Sequence, residues 1–130
     1  MTSTLLPALI GAPLIAFAAW RVRALTTSGA LAAAVVGFCH LAFGGWPAAA
    51  ALLAFFGTST ALSKLGKRKK DALGFEKTGR RDAWQVLANG GVASVCACLC
   101  PLTPSNGGIW GTALLGALAV ACADTWATEV

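Results

Sequence analysis

Two long stretches without a charged side chain limit what this chain can fold into. Residues 24–63 form an uncharged run of 40 residues, and residues 83–123 form a second run of 41 residues. A helix needs about 20 apolar residues to cross a bilayer, so each run is long enough for two crossings. The chain is 57% hydrophobic and 12% charged, whereas soluble domains carry about 25% charged residues. The pattern excludes a small soluble domain and predicts an integral membrane protein.

Clusters of glycine and proline divide each long run near its middle. The first break is GGWP at residues 44–47, and the second is PLTPSNGG at residues 101–108. Such clusters are strong turn signals. With the uncharged segment at residues 1–20, they predict a single multi-pass, all-α transmembrane domain that covers residues 1–130. Its five predicted helices span residues 4–20, 28–44, 47–63, 83–100 and 109–127.

The tryptophans and the basic residues support this division into helices. Each of the five tryptophans lies within a few residues of a predicted helix end, where tryptophan prefers the membrane–water interface. If the N-terminus is outside, all ten basic residues fall on one side. The positive-inside rule then makes the loop at residues 64–82 cytoplasmic. Arg21 and Arg23 are interpreted here as orientation charges.

The loop at residues 64–82 concentrates the charge, since it holds eight of the ten basic residues. The sequence contains no recognisable nucleic-acid-binding fold, so we expect no nucleic-acid partner. Two interpretations stay open. The loop can simply attract anionic lipid head groups, or it can belong to a site that binds phosphates.

Two stripes of polar residues flank this loop and favour a site. The first consists of Thr60, Ser63, Lys64 and Lys67, and the second consists of Asp82, Gln85 and Asn89. Their spacings place each stripe on one face of a helix. Asn89 lies nearly two turns inside the fourth predicted helix, where an amide without a hydrogen-bonding partner is costly.

Asp124 adds a carboxylate at the same membrane face. It lies about 22 Å along the fifth predicted helix, near its cytoplasmic end. The small residues Ala113, Ala117 and Ala121 share its helix face, and such residues line helix–helix contacts. We therefore expect Asp124 to face the interior of the bundle, near Asn89, Lys64 or the basic loop. Cations that hold phosphates would then lie beside carboxylates that hold hydrated Mg²⁺. A structural salt bridge remains the alternative for Asp124, and a helix–helix hydrogen bond for Asn89.

Three segments resemble a known family. AFFGTSTALSKLGKRKK, EKTGRRDAWQVLANGG and ACADTWATEV are similar to signatures of the transmembrane protein 19 family, also called domain of unknown function 92. The plant phytyl-phosphate kinase is similar to this family. The resemblance implies phosphoryl transfer from a nucleoside triphosphate, preferably CTP, to a prenyl monophosphate. Family members continue beyond ADTWATE, so it also implies that this chain is a C-terminally incomplete member, which leaves its own enzymatic activity open.

Under this kinase hypothesis each candidate residue has a role that follows from its charge. Lys64, Lys67, Arg80 and Arg81 would bind phosphates, with Ser63, Gln85 and Glu129 as polar support. Asp124, Asn89 and Asp82 would be catalytic, with Asp124 as the Mg²⁺ ligand.

The alternative function is a non-catalytic membrane protein that binds or transports lipid phosphates. In both cases the expected partners are membrane lipids and a prenyl phosphate. The expected location is the inner membrane of a bacterial cell.

Overall fold

The computed structural model describes residues 2–74 and 79–129, apart from the side chains of residues 2, 69–71 and 129. It contains four α-helices: α1 (Thr2–Arg21), α2 (Thr27–Asp71), α3 (Ala83–Leu102) and α4 (Gly107–Glu129). A 3₁₀ turn, Pro104–Asn106, joins α3 to α4. Apart from its end turns, a helix satisfies its backbone polar groups within the segment, which a chain in lipid requires. The predicted class, an all-α integral membrane bundle, is confirmed.

Helix α2 is broken at Gly45 into two arms, residues 27–44 and 46–71. Gly45 has φ 75° and ψ −172°, a conformation that glycine adopts without steric penalty. The second arm runs back alongside the first. Near its start Ala49 packs against the buried cluster that contains Leu41 and Ala42. Further along, Phe56 packs against the cluster that contains Leu25, which lies just before the first arm. The arms therefore correspond to the predicted helices 28–44 and 47–63.

The second arm continues beyond its predicted end at residue 63 to Asp71. The first half of the predicted loop 64–82 is therefore helical. Lysine, arginine and leucine make up most of residues 64–70, and all three have high helix propensity. The other helices differ from their predicted bounds by two residues or fewer at each end.

Among the described residues, four helices are long and apolar enough to cross a membrane. The stretch within α2 has 42 residues, which as helix is roughly 60 Å long, about twice the thickness of the hydrocarbon core. Because α2 folds back at Gly45, its two arms count as two crossings. The helix count thus agrees approximately with the five crossings that the sequence predicts.

Small residues form much of the core where the helices meet. One cluster joins the second arm of α2 to α3 and α4, and it contains Ala48, Phe55, Ala93, Cys96, Ala97, Leu114 and Leu118. Small side chains let membrane helices approach closely. Many large apolar side chains, such as Leu9 and Val120, are exposed instead, as expected for surfaces that contact lipid.

The antiparallel order of the helices brings two chain segments to the same end of the bundle. The end of α1 and the start of α3 lie together there, because Arg81 pairs with Leu25 in a parallel backbone bridge. We call this end, where residues 21–26 and 79–84 lie, the basic end. Residues 44–47 and 102–107 lie at the opposite end.

Candidate functional site

A pocket of about 270 Å³ opens at the basic end, and we call it the basic pocket. It is lined by Arg23, Ala24, Thr60, Ser63, Lys64, Lys67, Gly79, Arg80 and Arg81. The four predicted phosphate-binding side chains and Ser63 therefore meet in one place. Their role in binding phosphate stays a prediction. The described lining includes no carboxylate, so the charge around this pocket is positive.

Two hydrogen bonds and a ring contact are among the interactions that hold the Arg81 side chain at the basic pocket. Its Nη1 donates to Thr60 Oγ1 at 3.3 Å, and its Nη2 donates to Ser63 Oγ at 3.3 Å. The guanidinium carbon lies 5.5 Å from the centre of the Phe56 ring, within the range of a cation–π interaction. The planar guanidinium suits these simultaneous contacts better than an ammonium would. The first polar stripe of the sequence thus supports Arg81.

The backbone of Arg81 is fastened to the loop after α1. Arg81 N donates to Ala24 O at 3.0 Å, and Thr26 N donates to Arg81 O at 2.9 Å. Gly29 lies directly against this bridge, since a Cβ atom at position 29 would collide with the Arg81 carbonyl. Glycine is required here for close approach of two backbones. The bridge fixes both loops relative to each other at the mouth of the pocket.

Asp82 and Gln85 cap the start of α3. Asp82 Oδ1 accepts a hydrogen bond from Gln85 N at 2.9 Å, and Gln85 Oε1 accepts one from Asp82 N at 3.3 Å. This reciprocal capping box satisfies backbone donors that the first turn of a helix leaves unpaired. It gives both residues a structural role that the sequence analysis missed, although their D-x-x-Q spacing is a capping signal. Their proposed catalytic and supporting roles stay predictions.

A second cavity of about 630 Å³ runs between α1, both arms of α2 and α3, and we call it the apolar groove. Its walls are mainly alanine, leucine, isoleucine and valine. Asn89 and Arg81 are the only amide or charged side chains among its described lining residues. Trp46 lines the groove near the opposite end of the bundle, far along the chain from Arg81. The groove can accept a hydrocarbon chain, and its polar groups lie towards the basic end.

Arg81 lines both cavities. A molecule with a phosphate at one end and an apolar tail can therefore place its phosphate among the cations and its tail in the groove. Asn89 is half-buried and lies on the groove side of this junction. Such an arrangement binds an amphiphilic anion through charge at one end and apolar burial along the rest.

Asp124 does not take the position that the sequence analysis expects. It lies about 26 Å along α4 from Gly107, towards the basic end, but its side chain is exposed. It is not among the residues that line the basic pocket. The expectation that it faces the interior is wrong for the described chain. Ala117 and Ala121 share its helix face and pack against the core, whereas Asp124 lies beyond Cys122, the last described α4 residue of this core cluster, and is exposed. Its assignment as a Mg²⁺ ligand stays a prediction, and the side chain of Glu129 lies outside the described residues.

Arg23 is a pocket residue that the sequence analysis missed. The sequence predicts an orientation charge, yet Arg23 lines the basic pocket. It also has φ 60°, which makes it the only non-glycine residue with a positive φ among the described residues. The segment WRVRAL at residues 20–25 contains no glycine, so the sequence carries no clear signal of a left-handed residue at position 23.

Comparisons with known proteins agree with this membrane fold. The family described as "Integral membrane protein DUF92" matches residues 10–130. The protein named "Protein PGR" from Arabidopsis thaliana is 36% identical over 137 aligned positions, which cover 95% of this chain and 47% of that protein. The chain thus spans about half the length of this curated relative. No solved structure matches the chain.

Proposed function

Because the chain belongs to the integral membrane protein family DUF92, we propose that it phosphorylates a prenyl monophosphate at the basic end of its bundle. The donor is a nucleoside triphosphate, with CTP preferred, and the product is the prenyl diphosphate. The observation that carries the proposal is that Arg81 lines both the basic pocket and the apolar groove. The hydrocarbon tail of a phytyl-like substrate would lie against the apolar walls of the groove, while the phosphate of the substrate would contact the cations of the basic pocket.

The reaction requires positioning more than acid–base chemistry. An oxygen of the prenyl phosphate attacks the γ-phosphorus, the bond from that phosphorus to the β–γ bridging oxygen breaks, and a nucleoside diphosphate leaves. A phosphate monoester carries nearly two negative charges at neutral pH, so its oxygen needs no strong base. Lys64, Lys67, Arg80 and Arg81 would hold donor and acceptor together and neutralise the charge of the transition state. Asn89 would orient the acceptor at the junction.

Mg²⁺ is the expected cofactor, because it neutralises the β- and γ-phosphates in phosphoryl transfer. The described residues do not form a dedicated site for it. They include no cluster of three or more histidine, cysteine or carboxylate side chains, and Asp82 is engaged as a helix cap. Asp124, Asp82 and Glu129 are proposed as its ligands from their charge and their place in the sequence.

A second candidate function is binding or transport of a lipid phosphate without chemistry. The observation that favours it is the lack of a carboxylate among the described lining of the basic pocket. A pocket of cations alone binds phosphate well, whereas phosphoryl transfer also needs a bound metal. In both functions the partners are membrane lipids and a prenyl phosphate. The proposed location is the inner membrane of a bacterium, with the basic end in the cytoplasm.

Turnover in lipid nanodiscs separates the two functions. The 130-residue chain is supplied with phytyl monophosphate, CTP and Mg²⁺, and phytyl diphosphate and CDP are measured by mass spectrometry. The kinase proposal expects both products in equal amounts, and it expects the rate to depend on the prenyl phosphate. Binding of phytyl monophosphate without either product would overturn the kinase proposal and support the binding function.

A further inference from the structure

Helix α1 ends in a Schellman motif. Arg23 N donates to Trp20 O at 3.0 Å, and Ala24 N donates to Ala19 O at 2.9 Å. Ala19 and Ala24 lie in the same buried cluster, which is the hydrophobic contact that accompanies this motif. Arg23 therefore occupies the left-handed position just past the helix end, in agreement with its φ of 60°.

An arginine is unusual at this position. Glycine is the common residue there, because a Cβ atom makes the left-handed conformation costly. A glycine at position 23 would close the same two hydrogen bonds with less strain. The presence of arginine therefore calls for a contribution from its side chain, since the backbone conformation alone disfavours it.

Arg23 lines the basic pocket together with Lys64, Lys67, Arg80 and Arg81. Five cations thus surround one pocket whose described lining has no carboxylate. Their mutual repulsion is relieved when an anion of more than one charge enters. The loop that carries Arg23 cannot drift away from the pocket, because Arg81 N bonds to Ala24 O at 3.0 Å.

We propose that Arg23 is a phosphate-binding residue of the basic pocket, held there by a helix end that glycine would form more easily. The inference rests on the proposed function only in the chemistry of the ligand, which is a phosphate. The phosphate can belong to a prenyl monophosphate or to the nucleoside triphosphate. The function of Arg23 is thus separable from the stability of α1.

Binding measurements on matched variants test the proposal. The 130-residue chain and its Arg23→Gln, Arg23→Lys and Arg23→Gly variants are placed in phosphatidylcholine nanodiscs. Each is titrated with phytyl monophosphate and, separately, with CTP. Arg21→Gln is the control, because Arg21 is an exposed arginine two residues away that does not line the pocket. Thermal unfolding is recorded for every variant.

The expected result is a loss of binding without a loss of stability. Arg23→Gln and Arg23→Gly weaken the binding of phytyl monophosphate, of CTP or of both by about tenfold. The ligand whose binding weakens identifies the source of the phosphate. Arg23→Lys retains part of the affinity. Arg23→Gly unfolds at the same temperature as the unmodified chain or at a higher one, which a purely structural role of Arg23 does not predict. Arg21→Gln binds both ligands as the unmodified chain does.

Other outcomes overturn the inference or the proposed function separately. Equal binding by the unmodified chain and Arg23→Gln overturns the inference and leaves the kinase proposal standing. Weaker binding by Arg23→Gln in a chain that makes no diphosphate supports the inference and overturns the kinase. If Arg21→Gln weakens ligand binding as much as Arg23→Gln does, the effect comes from net charge alone, and the proposed role of Arg23 is overturned. A chain that binds neither ligand overturns both proposals.

Discussion

Arg81 is the residue on which the basic pocket depends most. Arg81→Lys keeps the positive charge but cannot reach Thr60 and Ser63 together, because an ammonium lacks the planar fork of the guanidinium. We expect phytyl monophosphate to bind tenfold more weakly or worse, which is a loss of about 1.4 kcal/mol of binding free energy. Isothermal titration in nanodiscs measures this change.

Arg68→Lys is the matched control for that prediction. Arg68 is an exposed residue of the second arm of α2, and it does not line the basic pocket. Its substitution should leave affinity unchanged. If Arg81→Lys binds as tightly as Arg68→Lys does, charge alone determines binding and the geometry around Arg81 is irrelevant to it.

Asp124 is the residue whose proposed role is furthest from its observed surroundings. Asp124→Asn keeps the shape and removes one charge. If Asp124 holds Mg²⁺, the rate of phytyl diphosphate formation should fall about a hundredfold, on the order of 3 kcal/mol of transition-state stabilisation. The rate is measured across a series of Mg²⁺ concentrations, since a lost ligand also raises the concentration required. A folded variant with an unchanged rate and Mg²⁺ requirement would remove Asp124 from the mechanism.

Polar residues near the basic end divide into two groups once their contacts are known. Thr60 and Ser63 support Arg81 through hydrogen bonds, whereas Asp82 and Gln85 cap α3. Spacing along a helix placed each group on one face. It could not show whether the side chains of a group bind a pocket residue or cap the end of a helix. That distinction depends on neighbours that are distant in sequence.

At the scale of the elements, close approach between α2 and α3 depends on Gly90. A Cβ atom at position 90 would lie 2.8 Å from Val36 Cγ1, whereas one at Gly91 would meet nothing within 4 Å. Valine is stiff about χ1, so its methyl group cannot easily move away. We therefore expect Gly90→Ala to be less stable than Gly91→Ala by about 1–3 kcal/mol in free energy of unfolding.

The partner substitution tests the cause of that difference. Val36→Ala removes the methyl group in question, so the double variant Gly90→Ala/Val36→Ala should recover part of the loss that Gly90→Ala shows alone. Unfolding in a denaturing detergent series measures all four variants. Strictly additive effects would mean that the two residues do not interact, and the close approach would then be wrong.

The break at Gly45 shows how far element boundaries follow from the sequence. GGWP predicted a turn, and Gly45 supplies it with a positive φ. Pro47 lies in the first turn of the second arm, where its missing N–H costs nothing. The end of the second arm was harder to predict, because the basic residues after position 63 prefer exposure to water, which suggests a loop, but also have high helix propensity. Helix propensity there carries the arm on to Asp71.

For the whole molecule, the test is which side of the membrane each loop faces. The five natural cysteines are replaced by alanine, and two single-cysteine variants are made from this version. One carries a cysteine at Ser105, near the opposite end, and the other carries one at Leu73, after α2. Both positions are exposed. A membrane-impermeant thiol reagent applied to intact cells should label position 105, whereas position 73 should react only after the membrane is opened.

Labelling of both cysteines from one side would contradict the orientation and the number of crossings. Position 73 labelled from outside and position 105 from inside would reverse the orientation alone. In that case the positive-inside rule would fail for this chain, and the basic pocket would face away from cytoplasmic CTP.

The sequence by itself determined the class of this protein, the approximate helices and the end of the bundle that carries the charge. These follow from the length of uncharged runs, from glycine and proline breaks and from charge placement, which are properties of neighbouring residues. Tertiary structure decided which charges share a pocket. Arg23 joins Lys64 and Arg81 because backbone hydrogen bonds from Arg81 to residues 24 and 26 fasten two distant loops together. Asp124 stays outside because it lies beyond the part of α4 that packs against the core. Such bridges and the extent of helix contacts depend on the packing of whole helices, which local pattern does not encode.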